Sequence, residues 1–400
     1  MVTAKSELPG ELPSAVARYA SVFHDVIGYR HQVASPLGAW LLLALCAPAA
    51  AGQDAAFLSE LLGGTSAEVA ASAAGLLGAP HPLVAAVAAV WSKQQAADLG
   101  WLASLPSAVT RGEIPDQGEL DSWAREHTFG LIDRFPLQVS PDVYLLLATA
   151  LATKVSWDRP FELAPATELG RSSPWAQRLA RVLKSPDHPS HTAFICPTAE
   201  AGDVAVHLGQ AKGGLLVASV IAEPRIAPAD VLAVAHRIAI ASALGQPAGE
   251  RSLSDLPLGD WPLWSLREET SNVGAGQHCV AVLPAWSASN SYDLSDPRLG
   301  FAAAAAALGH GDPWIARQAA MASYSRTGFE AAAVTALAVE AMAMAPRRGK
   351  RRMAELRFGH PYAVVAVAAD GAPGWRTPGA WTGIPVFSAW VAEPVNAGDK

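Results

Sequence analysis

Helix-type and strand-type patterns are segregated along this chain, and that order constrains its fold more than any other feature. Leu12 to Tyr29 and Ser35 to Ala50 carry apolar residues at helical spacing, and Asp54 to Gly63 and Ser66 to Leu77 continue as short Ala- and Leu-rich helices. Val84 to Trp91 and Val143 to Trp157 are apolar and partly β-branched. With the helical pattern of Asp116 to Arg134 between them, they read as sheet strands bracketing a surface helix. From Ala193 onward short strand-like runs dominate: Val204 to Leu208, Leu215 to Ile221, His278 to Leu283 and Tyr362 to Val367. Helices first and strands later is an α+β order rather than a βαβ alternation, so a largely antiparallel sheet system is expected. No Ser-, Gly- or Pro-repeat linker and no internal repeat divides the chain, so residues 1–400 read as one domain.

Composition narrows the function. With 51% apolar and 16% charged residues the chain supports an extensive core and is not of the disordered class. A net charge of -7 offers no general footprint for nucleic acid or for an anionic membrane. The most apolar stretch, Trp40 to Ala51, is about half the length that crosses a bilayer and reads as a core helix. Cys46, Cys196 and Cys279 are far apart and odd in number, which predicts buried thiols rather than a disulfide framework or a metal pair.

The histidines form no HExxH and no zinc spacing with cysteine, and no GxSxG elbow is present. Gly213-Gly214 precedes a strand instead of leading from one into a helix, so no phosphate loop is supported. No cofactor, metal or enzymatic constellation is therefore expected. His24 with His31, and His188 with His191, read as surface or capping residues. The first residues, with two prolines and four charges before Phe23, lack the uninterrupted apolar core of a secretory signal, so a cytoplasmic protein made without export is expected.

Several segments stand in a telling order, from about Ala34 to Pro394. They begin with Ala34-Ser35-Pro36-Leu37. Next come Leu120-Asp121-Ser122-Trp123 through Thr128-Phe129-Gly130-Leu131-Ile132, Leu145 to Lys154, and Ser156-Trp157-Asp158-Arg159-Pro160-Phe161. Leu283-Pro284-Ala285-Trp286 with Tyr292-Asp293-Leu294 follows, then Phe358-Gly359-His360-Pro361-Tyr362 and the terminal Gly383 to Pro394 strand. Together these segments resemble the serpin superfamily, and the resemblance implies about eight or nine helices around three mostly antiparallel sheets, with an exposed reactive-centre loop over about residues 328–352. It also implies a monomer acting as a suicide substrate for a serine protease, or alternatively a cysteine protease. Extracellular action is the family's common alternative to a cytoplasmic one.

The loop can also be read from its own residues. Phe329, Ala331, Ala333, Thr335, Leu337 and Val339 form one face of a period-2 pattern, and Glu330, Ala332, Val334, Ala336, Ala338 and Glu340 form the other. Small side chains suit a segment that slides between strands of a close-packed sheet, and Gly328 supplies a pivot. An Ala-rich helix is the competing reading, since Ala and Leu are the strongest helix formers. Counting from the hinge glycine as the family does places the scissile bond at Met342-Ala343, with Met344-Ala345 as the alternative. Unbranched apolar residues there suit chymotrypsin-, elastase- or subtilisin-like pockets. Arg347, Arg348, Lys350, Arg351 and Arg352 read as a solvated flexible segment, a patch for a polyanion, or a second, trypsin-like bait.

The chain departs from the family pattern where the sheet must open. Phe329 stands where Thr or Ser is preferred, Arg326 where an acidic residue is usual, and Ala285 where its lysine partner would be. The hydrogen-bonded cluster under the opening, around Ser35, Thr149 and Gln318, has Thr149 for Asn, Gly38 for Ser and Gln318 for His. Trp157, which closes the sheet top in the family, is kept. These departures favour an alternative function, a non-inhibitory binding or scaffold protein on the same fold.

Overall fold

The computed structural model of the chain describes residues 11–79, 81, 84–92, 100–128, 130, 132–140, 143, 145–153, 155–271, 276–308, 314–329, 349–369 and 379–398. The first part is helical, as the spacing predicts: α1 (Glu11–Ile27), β1 (Gln32–Ala34), α2 (Pro36–Cys46), α3 (Gly52–Leu62) and α4 (Ser66–Gly78). α1 buries one stripe, Val16, Tyr19, Ala20 and Phe23. α2 starts on a proline and is buried on nearly every side, which makes it the core helix expected from Trp40 onward. α3 stops where Gly63 takes a left-handed φ of 82°. α4 starts on a capping box of Thr65 and Glu68.

Next come β2 (Val84–Ser92), α5 (Gly100–Ser104), β3 (Thr110–Gly112), α6 (Gln117–His127), β4 (Leu145–Thr153) and β5 (Val155–Ser156). α6 begins on an Asp116–Glu119 capping box. It is the surface helix expected between two strands, although it ends at His127, short of Arg134. The remainder runs β6 (Glu162–Pro165), β7 (Arg181–Lys184), β8 (His191–Thr198), β9 (Gly202–Ala211), β10 (Leu215–Ile221), α7 (Pro228–Ala243), β11 (Gly259–Asp260), β12 (Trp264–Ser271) and β13 (Gly276–Leu283). It ends with β14 (Trp286–Asp293), α8 (Phe301–Ala307), β15 (Arg317–Tyr324), β16 (Gly328–Phe329), β17 (Gly349–Arg357), β18 (Tyr362–Ala368) and β19 (Pro385–Val391).

The strands form two six-stranded sheets, in the orders β1-β19-β18-β10-β9-β8 and β11-β12-β17-β13-β7-β6, and a third sheet in pieces. Those pieces are β3-β2-β4, β14-β15 and the short pair β5-β16. The pairing is mostly antiparallel, with β13–β17 and β2–β3 parallel. Eight α-helices among the described residues and this α+β arrangement match the expected class. The central core lies between α2 and the sheets. A second cluster seals α7 against β9, β10 and β18 through Val231, Leu232, Ala235 and Ile238. α7 is a correction to the strand-dominated expectation after Ala193. Cys46 and Cys196 are buried as expected, whereas Cys279 is only half-buried.

Candidate functional site

The third sheet is divided. β4 is the free edge of one piece and β15 of the other, and no ladder joins them among the described residues. A cavity of about 580 Å³ lies between them, lined by Leu145 to Leu151 on one lip and Ala316 to Ala319 on the other. Its two faces are closed by α2 with α8, and by α6 with the segment after it. Along β4 the side chains alternate. Leu145, Leu147 and Leu151 join the central core on the α2 side, while Leu146 and Ala148 meet Leu120 and Ala124 of α6. Among the described residues the two pieces are laddered together at the top, where Gly328 pairs with Ser156 and Phe329 with Val155 in antiparallel register.

Midway down the slot, the first turn of α2 holds both lips. The Ser35 amide donates to Oε1 of Gln318 at 3.0 Å, and Nε2 of Gln318 donates to the Ser35 carbonyl at 2.7 Å. From the opposite lip Oγ1 of Thr149 donates to the Gly38 carbonyl at 3.1 Å. Oγ of Ser35, instead of capping its own helix, donates to the Val386 carbonyl at 2.9 Å. Ser35, Thr149 and Gln318 are therefore brought together, with the Thr149 hydroxyl and the Gln318 amide where the resemblance implies Asn and His, and the bare backbone of Gly38 where it implies Ser. A Cβ at Gly38 would stand 3.1 Å from Oγ1 of Thr149. In a Thr149→Ala background Gly38→Ala should therefore stabilise by about 0.5–1 kcal/mol, the ordinary helix preference for Ala over Gly. In the wild-type background the same change should be neutral or destabilising, a coupling that urea unfolding of the double-mutant cycle measures.

At the top of the slot Trp157 is buried, and the turn from Trp157 to Phe161 clasps the start of the hinge. The Trp157 amide donates to the Thr327 carbonyl at 3.0 Å, its indole Nε1 donates to the Ser325 carbonyl at 2.9 Å, and the Phe161 amide donates to the Arg326 carbonyl at 2.9 Å. Trp157, Phe161 and Tyr324 pack ring against ring at 4.9 to 5.7 Å between centroids. Arg326, in the place of an acidic residue, returns Nε to the Phe161 carbonyl at 3.2 Å, and Ala285 forms a backbone bridge with Val395. The missing ion pair is thus replaced by bonds to backbone.

Of the expected hinge and bait residues, Gly328 and Phe329 are described as the short strand β16. Glu330, Ala331, Ala332, Ala333, Thr335, Met342, Ala343, Met344, Ala345, Arg347 and Arg348 lie outside the described residues. The expected extension of the loop to Arg352 is corrected, because β17 already begins at Gly349. Nζ of Lys350 is 2.7 Å from Glu268, Arg351 is 3.9 Å from Asp187, and Arg352 donates to the carbonyls of Leu253 and Leu256 at 2.6 and 3.0 Å. In that strand β17 pairs with both β12 and β13, so these residues are neither a free polybasic loop nor a bait that can extend into a protease cleft. The surface or capping reading holds for His188, whose Nδ1 accepts from the Ser190 amide at 3.2 Å, and is corrected for His24 and His191. His24 is fully buried against Oγ of Ser388 at 2.7 Å, and His191 is buried beside His207. A cross-strand pair separated by sixteen positions has no local signal in a sequence.

Among solved structures, the chain is similar to the thermophilic serpin tengpin in the native state, with 12% identity, a TM-score of 0.63, and 98% of this chain and 96% of that one covered. It is likewise similar to human thyroxine-binding globulin complexed with thyroxine, at 14% identity and TM-score 0.63, over 96% of this chain and 98% of that one. A cleaved serpin, 42Da, matches at 13% identity and TM-score 0.60, over 98% of both chains. No family model and no curated protein matches the sequence.

Proposed function

The chain carries the serpin fold, and from that fold we propose that it inhibits a protease as a suicide substrate, through cleavage of the loop and entry of the cut strand into the divided sheet. The observation that carries this reading is the slot itself, two lips that no ladder joins among the described residues, with Gly328 and Phe329 already laddered at one end. The register supports it in detail. Directly opposed residues of an antiparallel pair point to the same face, and each step forward from Phe329 opposes one step back from Val155. Continued along β4, that register sets Ala333 against Leu151, Thr335 against Thr149, Leu337 against Leu147 and Val339 against Leu145. The Ala333-Thr335 stretch then passes where Gly38 leaves room, and Glu330 and Glu340 fall on the α6 face.

The chain supplies the scissile bond and no catalyst. The protease nucleophile attacks the carbonyl of Met342, or in the alternative of Met344, forming an acyl-enzyme that strand entry strands before hydrolysis. Incubation with chymotrypsin-, elastase- and subtilisin-like proteases should give an SDS-stable complex linked at one of these methionines. Cleavage at the same bonds without any complex would move the assignment to a second reading, a binding protein on the same fold. Phe329 favours that second reading, since a large ring at the head of the strand should slow entry into a close-packed sheet. So does likeness to a protein described as a thyroxine-binding globulin. Phe329→Thr should raise the fraction of protease trapped per molecule cleaved if entry is limiting.

A further inference from the structure

Beneath the turn that clasps the hinge lie two buried histidines for which strand entry has no use. His191 on β8 is 8% exposed and His207 on β9 is 0% exposed. Nδ1 of the first is 3.1 Å from Nε2 of the second. Nε2 of His191 is 2.7 Å from the Arg159 carbonyl, which can only accept, so that nitrogen carries the proton. In the neutral ring Nδ1 is then an acceptor and His207 Nε2 donates to it, which leaves His207 Nδ1 with a lone pair. That atom is buried with no hydrogen-bond partner among the described residues. A further proton on the pair therefore finds no acceptor.

The surroundings do not offset this. The rings of Phe161 lie 4.6 and 5.3 Å from those of His191 and His207, and Trp157 lies 6.4 Å from His191. Tyr324 of β15 packs on Phe161 and Trp157, which lie between it and the pair. The charged groups are Asp158 and Arg159 on the turn, both exposed, and His188 ahead of β8, whose Nδ1 is held by Ser190 at 2.7 Å. Burial holds His191 below the ordinary histidine range despite the Arg159 carbonyl and the opposing pull of Asp158, and His188 adds to the lowering. Burial and then His191 hold His207 well below it.

We propose that His191 and His207 form an acid-sensitive latch under the top of the divided sheet: an added proton puts a charge and an N–H without an acceptor into this apolar site, the pair opens to relieve both, and the opening frees the Arg159 carbonyl, loosens the Trp157–Phe161 turn, and releases its grip on Ser325 to Gly328. Its importance for inhibition rests on the strand-entry reading, but the opening itself needs no protease. The opened pair takes up a proton near the ordinary value of about 6.5 and the closed pair does not. Closure is therefore fully favoured above that pH and is lost as pH falls below it, with the opening constant rising up to about tenfold per pH unit for each proton. His24 and His236 are pushed by burial down to about 3 and about 4, and they weaken the whole fold in the same direction. The latch is accordingly read locally.

Amide hydrogen exchange, corrected for its intrinsic pH dependence, should be compared at about pH 7.5 and about pH 5.5, on either side of the histidine range. In the wild-type chain the amides of Trp157, Phe161 and Gly328 should lose protection by up to about a hundredfold, about tenfold for each of the two rings. In His207→Gln, which keeps an N–H toward His191 and leaves one titrating ring, the loss should be no more than about tenfold, and α7 amides should respond alike in both proteins. Equal losses in the two proteins, or full protection of the wild type at the lower pH, would overturn the latch. Should His207→Gln fail to fold, imidazole NMR of the wild-type chain decides, because ordinary titration of both rings in the folded protein would equally overturn it. A chain that traps no protease yet shows the local response keeps the latch and loses the inhibitory reading.

Discussion

Cleavage of the loop between residues 330 and 348 should raise the melting temperature by on the order of 10 °C while the two fragments stay together. The slot between β4 and β15 is a cavity of about 580 Å³ with a strand edge on each side that no ladder joins among the described residues. Filling such a volume is worth about 24 cal/mol per Å³ by the cost of comparable core cavities, hence on the order of 10 kcal/mol. With an unfolding entropy of about 2.1 cal/mol/K per residue, that free energy spread over the 400 residues corresponds to roughly 10 °C. New ladder bonds to the two lips add to it. Calorimetry of intact and cleaved protein gives the answer directly. Identical melting temperatures would mean that the cut loop stays outside the sheet, and the inhibitory mechanism would fall with it.

Thr335→Arg should abolish trapping while leaving cleavage at Met342 unchanged. The register from Gly328–Ser156 and Phe329–Val155 carries residue 335 to Thr149, on the face closed by α2 and next to Gly38. A guanidinium entering there meets Ala39, Leu42 and Leu43 of α2, and the lining of the slot holds no carboxylate among the described residues. Burying an unpaired charge costs several kcal/mol, and about 3 kcal/mol on the barrier to entry already slows it roughly a hundredfold relative to hydrolysis of the acyl-enzyme. Thr335→Ser should trap as the wild type does. Gel quantification of complex against cleaved product measures the ratio. If Ala336→Arg blocks trapping and Thr335→Arg does not, the strand enters one residue out of register, since a single-residue slip exchanges the two faces.

Much of this was legible in the sequence for physical reasons. The helices of the first part and β10, β13 and β18 announce themselves because each has one dominant environment, an apolar stripe or an apolar run. α7 escaped because its buried positions, Val231, Leu232, Val234, Ala235, Ile238, Ala239 and Ile240, spread over most of the helix and blur the amphipathic period. The start of β17 escaped because Lys350 to Arg352 read as a solvated charge run. The charges that order part of it, Glu268 and Asp187, lie in segments remote in sequence. In the site, Ser35, Thr149, Trp157 and Gln318 could be placed because the family pattern names their positions. The substitute bonds of Arg326 and the meeting of His191 with His207 depend on tertiary distances that no local pattern encodes.

The position of β17 bears on how long the intact molecule lasts. It is an interior strand, laddered to β12 from Gly349 to Leu356 and to β13 from Arg351 to Arg357, with Lys350 tied to Glu268 and Arg357 to Asp260 and Glu355. An uncut loop is tethered at both ends, so it can fill the slot completely only by peeling this strand out of the middle of its sheet. A cut loop leaves the strand where it is. Every 1.4 kcal/mol of ladder that must break first lengthens the waiting time about tenfold. Under the proposed mechanism the peptide bond at the bait acts as the catch of a loaded device, and the shelf life of that device is set in a sheet remote from the slot it is loaded to fill.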